Sequence, residues 1–276
     1  MILKNGMNKM DMKSTLPAPA NATRPTHRSF DQADRLGEGD ALNRAMAQST
    51  RKWADAGMFG ADTEPEAEGP PVPSRSPQGP SNQNTRMDAF RKAVGSRYKH
   101  CSLDNFCCDH AGQREVVELL RGYIAAWEDH RRHGRGIMAI GGVGGGKDHL
   151  LVATAREIIQ EHGVAVRWVS GPQLFSAARV HMGRDEAGWL SDYFYPPVLI
   201  LSDPLPPLGG LTDHQAATVQ LIVDERYRNR RPTWVTLNCK DSSEADKRMG
   251  ASIVDRLTAD ALIVKCDWPS YRRPLD

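Results

Sequence analysis

Residues 136–151 read GIMAIGGVGGGKDHLL, and this stretch decides how the rest of the chain is organised. A short apolar run at 137–140 leads into a glycine-rich turn, and a helical pattern begins at Lys147. In a phosphate-binding loop, backbone N–H groups surround the phosphates, the lysine reaches the outer ones, and the helix N-terminus adds its dipole. The order of strand, glycine loop and helix therefore predicts a site for nucleotide phosphates.

The loop satisfies seven positions of this motif and departs from it at the eighth. That position normally carries a Ser or Thr hydroxyl directed at Mg²⁺, and here it is Asp148. The alternative interpretation is a glycine-rich turn before an ordinary helix, but the flanking strand and amphipathic helix are the context that the motif requires. The residues predicted to bind the nucleotide are Gly141, Gly142, Val143, Gly144, Gly145, Gly146, Lys147, Asp148 and His149.

Composition places the chain among ordinary soluble proteins. It has 276 residues, of which 39% are hydrophobic and 25% charged, and its formal net charge is +2. A charge this small identifies no partner, so any basic surface for nucleic acid must be local. No apolar run is long enough for a membrane span, and the apolar part of MILKNGMNKM is too short for a secretory signal. We therefore expect a cytoplasmic protein with no membrane partner.

The five cysteines favour reduced thiols over a disulfide framework. Their number is odd, and two of them, Cys239 and Cys266, fall in or beside predicted interior strands. The segment HCSLDNFCCDH at 100–110 also suggests zinc, but the adjacent pair Cys107 and Cys108 is not the usual clasp of two cysteines separated by two residues. Since no second clasp follows, we do not predict a zinc site.

The chain divides into two regions by composition. Residues 1–88 are rich in Pro, Ser, Gly and Asn, which predicts a mostly disordered N-terminal segment. Within it, residues 30–59 have apolar positions at helical spacing and predict either a short recognition helix or a transient helix without a partner. Residues 89–276 are predicted to form the nucleotide-binding domain.

In this second region strands alternate with helices. An amphipathic helix at 114–133 comes before the first strand, and the alternation that follows predicts an α/β fold with a parallel sheet covered by helices on both faces. Ligands of such sheets bind at the carboxyl ends of the strands, where the glycine loop falls. The predicted strands are 136–141, 164–170, 197–203, 233–238 and 261–267, and the predicted helices are 147–162, 172–182, 212–229, 241–249 and 251–258.

The strand PVLILSD ends in Ser202 and Asp203. In ATPases with a phosphate-binding loop, an apolar strand of this kind ends in acidic residues that hold Mg²⁺ or orient the attacking water. Asp203 is therefore a candidate for this function, and the alternative is a turn residue before Pro204.

Five stretches in this order resemble the DnaC/IstB family of AAA+ proteins, which are bacterial helicase loaders and transposition helper ATPases. They are GGVGGGKDHL, VLILSDPLPPLGG, LIVDERYRNRRPTWVTLN, GASIVDRLTADA and CDWPSYR, and the resemblance covers about residues 96–273. It implies an AAA+ type of P-loop NTPase fold, ATP and Mg²⁺ as cofactors, and a catalytic set made of Asp203, Asn238, Arg256 and Arg272.

The resemblance also implies a role for each matched residue. Lys147 would bind the outer phosphates, and Asn238 would be the polar sensor at its strand end. Arg256 would reach the nucleotide of a neighbouring subunit, and Arg272 would touch the γ phosphate of its own chain. The alternatives are that Asn238 caps the helix starting near residue 241 and that Arg256 pairs on the surface with Asp255 or Asp260.

Two departures from the family pattern fall on the predicted Mg²⁺ ligands, which are Asp148, Ser202 and Asp203. One hypothesis is decay into a nucleotide-binding protein that does not hydrolyse ATP. The other is exchange: a carboxylate has moved to the loop and a hydroxyl to the strand, so that the metal keeps the same kinds of oxygen ligand.

The leading functional hypothesis is an ATP-binding AAA+ protein that assists DNA replication by helicase loading or assists transposition, and the altered magnesium ligands leave ATP hydrolysis open. The resemblance implies homo-oligomers on single-stranded DNA and a replicative helicase or a transposase as the partner. The second hypothesis is a non-hydrolysing interaction module in which ATP only stabilises a shape. A small-molecule kinase is disfavoured, since the sequence shows no arginine-rich lid segment with a defined acceptor site and Arg256 and Arg272 fit the AAA+ layout better.

Overall fold

The computed structural model describes residues 80–181 and 184–272. The possible recognition helix at 30–59, like most of the predicted N-terminal segment, lies outside these residues. The strands are β1 (Ile137–Gly141), β2 (Val166–Ser170), β3 (Val198–Ser202), β4 (Thr233–Leu237) and β5 (Leu262–Cys266). The helices are α1 (Pro80–Val94), α2 (Ala111–Ala125), α3 (Trp127–His133), α4 (Lys147–His162), α5 (Gly171–His181), α6 (Glu186–Phe194), α7 (Asp213–Arg228), α8 (Ser242–Met249) and α9 (Ala251–Thr258).

The five strands form one parallel sheet in the order β2-β3-β4-β1-β5. Every residue of β1, β3 and β4 is buried, which explains why these strands are mainly apolar in the sequence. The predicted α/β fold with a parallel sheet is confirmed.

Alternate residues of β1 supply the two halves of the core. Ile137 and Ala139 belong to the core under α1, α2, α3 and α4. Met138 and Ile140 belong to the core under α5, α6, α7 and α9. Since successive side chains of a strand point to opposite faces, helices cover the sheet on both sides, as the sequence predicts.

The helix α1 crosses the predicted boundary at residue 88. Its first half is polar, which is why its composition resembles the segment before it. Met87, Phe90 and Val94 are buried against the core, and the Gln83 side chain donates a hydrogen bond to the Ile159 carbonyl at 3.1 Å. Helical structure therefore begins eight residues before the predicted boundary, and the division of the chain into two regions stays a prediction.

Two further elements differ from the prediction. The single helix predicted at 114–133 is divided at Ala126, whose φ of −96° and ψ of 18° interrupt the helix between α2 and α3. The helix α6 was missed, because it has only nine residues and includes Gly188. Its N-cap Asp185 accepts a hydrogen bond from the Gly188 backbone, and it packs through Trp189, Leu190 and Tyr193.

Within the part of the chain that the structure describes, no helix combines the length and apolar character that a membrane crossing needs. The carboxyl ends of β1, β3 and β4 meet at one edge of the sheet, because these three strands are neighbours. This edge positions the predicted site.

Candidate functional site

The glycine loop joins β1 to α4 in a conformation that glycine alone adopts without strain. Gly144 and Gly146 have φ values of 83° and 82°, in the left-handed region. A Cβ atom at Gly144 would lie 1.9 Å from the Ser270 hydroxyl, and one at Gly146 would lie 2.6 Å from the Phe106 ring. Both glycines are therefore required by the backbone and by the segments that pack on the loop.

Lys147, the first residue of α4, is buried and turns back across the loop. Its Nζ donates to the carbonyls of Gly141 at 2.9 Å and Gly142 at 2.7 Å, and to Oδ1 of Asn238 at 2.8 Å. Burial lowers the pKa of this amine. All three acceptors are neutral, so an anion that reaches Nζ adds an ion pair that they do not provide.

Asp148 and Ser202, the two departures from the family pattern, are in direct contact. The Ser202 hydroxyl donates to Oδ1 of Asp148 at 2.8 Å. The Thr236 hydroxyl donates to the same oxygen at 2.9 Å. The structure therefore gathers a carboxylate and two hydroxyls at the strand ends, although the sequence separates Asp148 from Thr236 by 88 positions.

Asp203 follows β3 with a φ of 46°, which is unusual for a residue other than glycine. Its Oδ2 accepts a hydrogen bond from the Asn238 amide, and its Oδ1 is buried without a hydrogen-bond partner among the described residues. Burial raises the pKa of Asp203, and the nearby Asp148 carboxylate adds to the rise. A buried carboxylate oxygen without a donor beside a second carboxylate fits a divalent cation or its water shell.

Asn238 joins the lysine to the carboxylate. Its Oδ1 accepts from Lys147, and its Nδ2 donates to Asp203. The alternative role as a helix cap is wrong, since Asp241 caps α8 by accepting from the Glu244 backbone at 2.9 Å. Arg248 of α8 donates to the Asn238 carbonyl at 2.9 Å and so holds the strand end in place.

The segment at 268–272 lies across the glycine loop. The Trp268 indole donates to the Gly145 carbonyl at 2.9 Å, and the Tyr271 backbone donates to the Gly144 carbonyl at 3.0 Å. The rings of Trp268 and Tyr271 both contact the Phe106 ring edge-on. These contacts place the exposed Arg272 in the wall of the cleft.

The cleft has a volume of about 480 Å³ and opens above the glycine loop. One wall comes from residues 97–107, and the opposite wall comes from Asp203, Thr236 and Asn238. His149 ties the start of α4 to the first wall, since its Nε2 lies 3.0 Å from the Ser102 carbonyl oxygen and its ring meets Phe106 edge-on. Burial lowers the pKa of this histidine, which favours the neutral ring. Val143 is 59% exposed at the tip of the loop.

A match to a family model shows which family the chain belongs to. A family model described as IstB-like ATP binding protein matches residues 100–275, which is more than half of the chain. The chain belongs to this family.

Two curated relatives carry the name replicative helicase loader DnaC. The one from Buchnera aphidicola subsp. Acyrthosiphon pisum is 26% identical over 190 residues, which cover 66% of this chain and 74% of the relative. The one from Buchnera aphidicola subsp. Schizaphis graminum is 25% identical over 190 residues, with the same shares covered. The family resemblance seen in the sequence is confirmed, as is nucleotide binding as a property of the family.

Solved structures agree on the fold. A crystal structure of the DnaC helicase loader superposes with a TM-score of 0.57 at 24% identity, covering 62% of this chain and 99% of that one. A crystal structure of DnaI gives 0.54 at 22% identity, covering 66% and 99%. At these identities the likeness extends to the fold alone.

Arg256, which the family pattern assigns to a neighbouring subunit, does not line the cleft. Its Nε lies 2.7 Å from Oδ1 of Asp224 on α7, and its Nη1 donates to the Ser252 carbonyl at 2.8 Å. The alternative of pairing with Asp255 or Asp260 is therefore replaced by a pair with Asp224. Both side chains are 30% exposed, so a partner can approach the guanidinium from outside.

The cysteine segment has a structural role at this site. Cys107 donates to Oδ2 of Asp109 at 3.1 Å, which raises the pKa of its thiol, and its carbonyl accepts from the Tyr271 hydroxyl. Buried Cys266 has its pKa raised to about 12 by burial. Over residues 80–181 and 184–272 all five thiols are free, and no three His, Cys, Asp or Glu side chains form a metal cluster.

Sequence reasoning missed three residues at the site: Thr236, Phe106 and Tyr271. Thr236 lies on β4, two positions before Asn238, which directly follows the strand; the two-residue spacing of one strand face is a signal that was available. Phe106 and Tyr271 had no such signal, because their contact depends on packing between segments 165 residues apart.

Proposed function

We propose that this protein binds Mg·ATP in the cleft and works as an AAA+ helper that loads a replicative helicase onto single-stranded DNA as a homo-oligomer. One observation supports the proposed nucleotide binding most directly. Hydrogen bonds connect Lys147 through Asn238 to Asp203 at the carboxyl ends of β1, β4 and β3. The names of the curated relatives favour replication over transposition as the process that is assisted.

Lys147 can exchange its carbonyl acceptors for phosphate oxygens. The carbonyls of Gly141 and Gly142 and the Asn238 amide are weaker partners for an ammonium group than a phosphate is. Asn238 would then keep its hydrogen bond to Asp203, so that a movement of the Lys147 Nζ would change the position of the Asp203 carboxylate. This coupling lets the strand end distinguish the cleft with and without a γ phosphate.

Asp148, Asp203, Ser202 and Thr236 supply the oxygen atoms that suit Mg²⁺. When bound, Mg²⁺ neutralises charge on the phosphates and so favours phosphoryl transfer. The hydroxyls of Ser202 and Thr236 hold one oxygen of Asp148 in a fixed position, and Asn238 does the same for Asp203. Oδ1 of Asp203, which has no hydrogen-bond partner among the described residues, would orient a water molecule.

A non-hydrolysing ATP-dependent module is the second candidate, and one observation favours it. Oδ1 of Asp148 already accepts two hydroxyl donors at 2.8 and 2.9 Å. An oxygen with two protein donors is a poorer ligand than a free one, so the carboxylate has only Oδ2 left for a metal. Binding without turnover would follow if this one oxygen does not complete the coordination.

The exchange hypothesis predicts non-additive substitutions at the two contacting positions. Asp148→Thr removes the loop carboxylate, and Ser202→Asp opposes two carboxylates across the 2.8 Å contact, so each change should weaken Mg²⁺-dependent ATP binding. The double change restores the family arrangement and should recover part of the loss, with a coupling of about 0.5–3 kcal/mol. Mg²⁺-dependent ATP affinity and turnover of all four proteins measure this coupling.

This comparison of four proteins needs a control for the loss of a hydroxyl donor to Asp148. Thr236→Val removes the other donor to Asp148 without adding charge, so it should weaken Mg²⁺-dependent ATP binding less than Ser202→Asp does. Strict additivity of Asp148→Thr and Ser202→Asp, with no ATP turnover in any of the four proteins, would exclude the exchange and leave the non-hydrolysing module.

Arg256→Ala tests the oligomeric helper function. The substitution should leave ATP affinity within about twofold and lower DNA-stimulated ATP turnover by at least about 100-fold, since an arginine acting across subunits stabilises transition-state charge. Asp224→Ala is the matched control, because it breaks the same ion pair at 2.7 Å and keeps the arginine. Turnover with and without single-stranded DNA and replicative helicase gives the readout. An equal loss in both variants would assign the effect to the ion pair and contradict the intersubunit role.

A further inference from the structure

Three turns lie side by side at the edge of the sheet opposite the cleft. They lead into β3, β4 and β1 and comprise residues 195–197, 229–232 and 134–136. Because these strands are neighbours, the turns must be neighbours as well. Their contacts are direct: a Cβ atom on Gly134 would lie 2.7 Å from the Cα atom of Arg230, and Arg231 donates to the Phe194 carbonyl at 2.9 Å.

This edge carries arginines without acidic partners. The sequence HRRHGR at 130–135 and the sequence RYRNRR at 226–231 meet here. Three of the arginines pair with carboxylates nearby in the sequence, namely Arg131 with Glu128, Arg135 with Asp129 and Arg228 with Glu225. The other exposed or half-buried ones, Arg132, Arg230 and Arg231, have no carboxylate within 4.0 Å among the described residues. A local excess of positive charge therefore remains on a chain that is nearly neutral overall.

Two exposed tyrosines stand among these charges. Tyr195 is 63% exposed, and the Arg231 guanidinium lies 5.2 Å from the centroid of its ring. Tyr227, one turn before Arg230, is 53% exposed. We name the surface of Arg132, Tyr195, Tyr227, Arg230 and Arg231 the arginine edge. Cations interleaved with open aromatic faces suit a ligand that has both phosphates and bases.

Buried Arg226 fixes the backbone of the arginine edge through hydrogen bonds. This side chain is fully buried, and it donates to the carbonyls of Tyr193, Phe194, Pro196 and Pro232. One guanidinium thus ties the turn before β3 to the turn before β4. A surface whose backbone is fixed in advance loses less entropy when it binds a ligand.

We propose that the arginine edge binds single-stranded DNA, on the side of the sheet away from ATP. An acidic peptide would use the charges but leave the tyrosine faces without a stacking partner, and a duplex keeps its bases stacked inside. Single-stranded DNA uses both, since its phosphates reach the arginines and its bases reach the rings. The inference rests on the proposed function for the choice of DNA and adds the surface that contacts it.

The test compares two double variants of the full chain that lose the same charge. Arg132→Gln with Arg230→Gly removes two cations from the edge, and glycine suits the φ of 49° at residue 230. Lys92→Gln with Lys247→Gln removes two exposed cations from α1 and α8. Binding of fluorescein-labelled oligo(dT) is measured by anisotropy over a range of salt concentrations.

We expect the edge variant to bind oligo(dT) at least about tenfold more weakly and its salt slope to fall by about 1.4, since each lost phosphate contact removes about 0.7. The lysine variant should stay within about twofold of the parent. Tyr227→Ser should weaken binding by at least about fivefold with an unchanged salt slope, because stacking releases no counterions. ATP affinity, measured on the same samples, should be equal in all of them.

Several outcomes would overturn the proposal. Equally weakened oligo(dT) binding in the two double variants would show that binding depends only on the net charge of the chain. If polyglutamate at equal charge displaced oligo(dT) completely, the arginine edge would be assigned to an acidic protein. Unchanged binding in the edge variants, with a parent that binds oligo(dT), would place the DNA elsewhere and leave the proposed function intact. A parent that binds ATP but no oligo(dT) would remove both the edge and the DNA part of the proposed function.

Discussion

Lys147→Ala should weaken ATP binding by at least about 100-fold, which corresponds to about 2.7 kcal/mol. Its Nζ is the cation at the glycine loop, and its present acceptors are two backbone carbonyls and one amide oxygen, at 2.7 to 2.9 Å. These neutral groups release it to a phosphate, and alanine offers the phosphate nothing in its place. Fluorescent ATP titration measures the affinity directly.

The same variant should not be unstable without ATP. Burial lowers the pKa of Lys147, so the folded chain bears a cost for keeping this charge away from water, and removing the charge removes that cost. The carbonyls that lose their donor oppose this gain, so we expect the free energy of unfolding to change by less than about 1 kcal/mol. Lys247→Ala on the exposed face of α8 is the control.

Thermal unfolding with and without ATP separates the two effects. ATP at 100 times its Kd should stabilise the parent and Lys247→Ala by about 2.7 kcal/mol, and it should hardly stabilise Lys147→Ala. A Lys147→Ala protein that binds ATP like the parent would refute the assignment of the phosphate site. A variant that unfolds at room temperature would instead show that the lysine is a structural residue.

Arg226→Ala should lower the free energy of unfolding by about 3–5 kcal/mol, the largest stability effect that we expect from one substitution. The guanidinium is fully buried and donates to four backbone carbonyls and to the Thr233 hydroxyl, at 2.7 to 3.2 Å. Burial lowers its pKa to about 9, so the group remains charged at neutral pH. Without it, four backbone carbonyls near the starts of β3 and β4 lose this donor.

Chemical denaturation of Arg226→Ala, Arg226→Lys and Arg228→Ala tests this expectation. Lysine keeps the charge but lacks the planar fork of donors, so Arg226→Lys should lose most of the same stability. Arg228, two residues later on α7, is exposed, and its replacement should change stability by no more than about 0.5 kcal/mol. Equal stabilities for Arg226→Ala and Arg228→Ala would contradict the structural role of the buried arginine.

The glycine loop and the alternating elements could be predicted because their signals are local. The helix α4 has the predicted bounds, and each predicted strand lies within two residues of the observed one at either end. The helix α6 and the first half of α1 could not be predicted in this way. Their apolar residues are few, and what holds them is packing against distant elements, which a local pattern does not contain.

In the candidate site, too, some features could be predicted from the sequence and others could not. A family pattern was enough to select Lys147, Asp203 and Asn238, and the structure brings these three into one chain of hydrogen bonds. The same pattern selected Arg256, and the structure places that residue outside the cleft, paired with Asp224. The roles of all four residues are predictions, and the experiments above test those of Lys147 and Arg256.

By itself, the sequence determined the α/β class, the family and the position of the phosphate-binding loop, because strand and helix periodicity and glycine spacing act over a few residues. The tertiary structure alone decided which distant residues meet. Thr236 joins Asp148 and Ser202, and the two arginine runs at 130–135 and 226–231 become one surface. The physical reason is the strand order: β4 is inserted between β3 and β1, and no local pattern records which strands become neighbours.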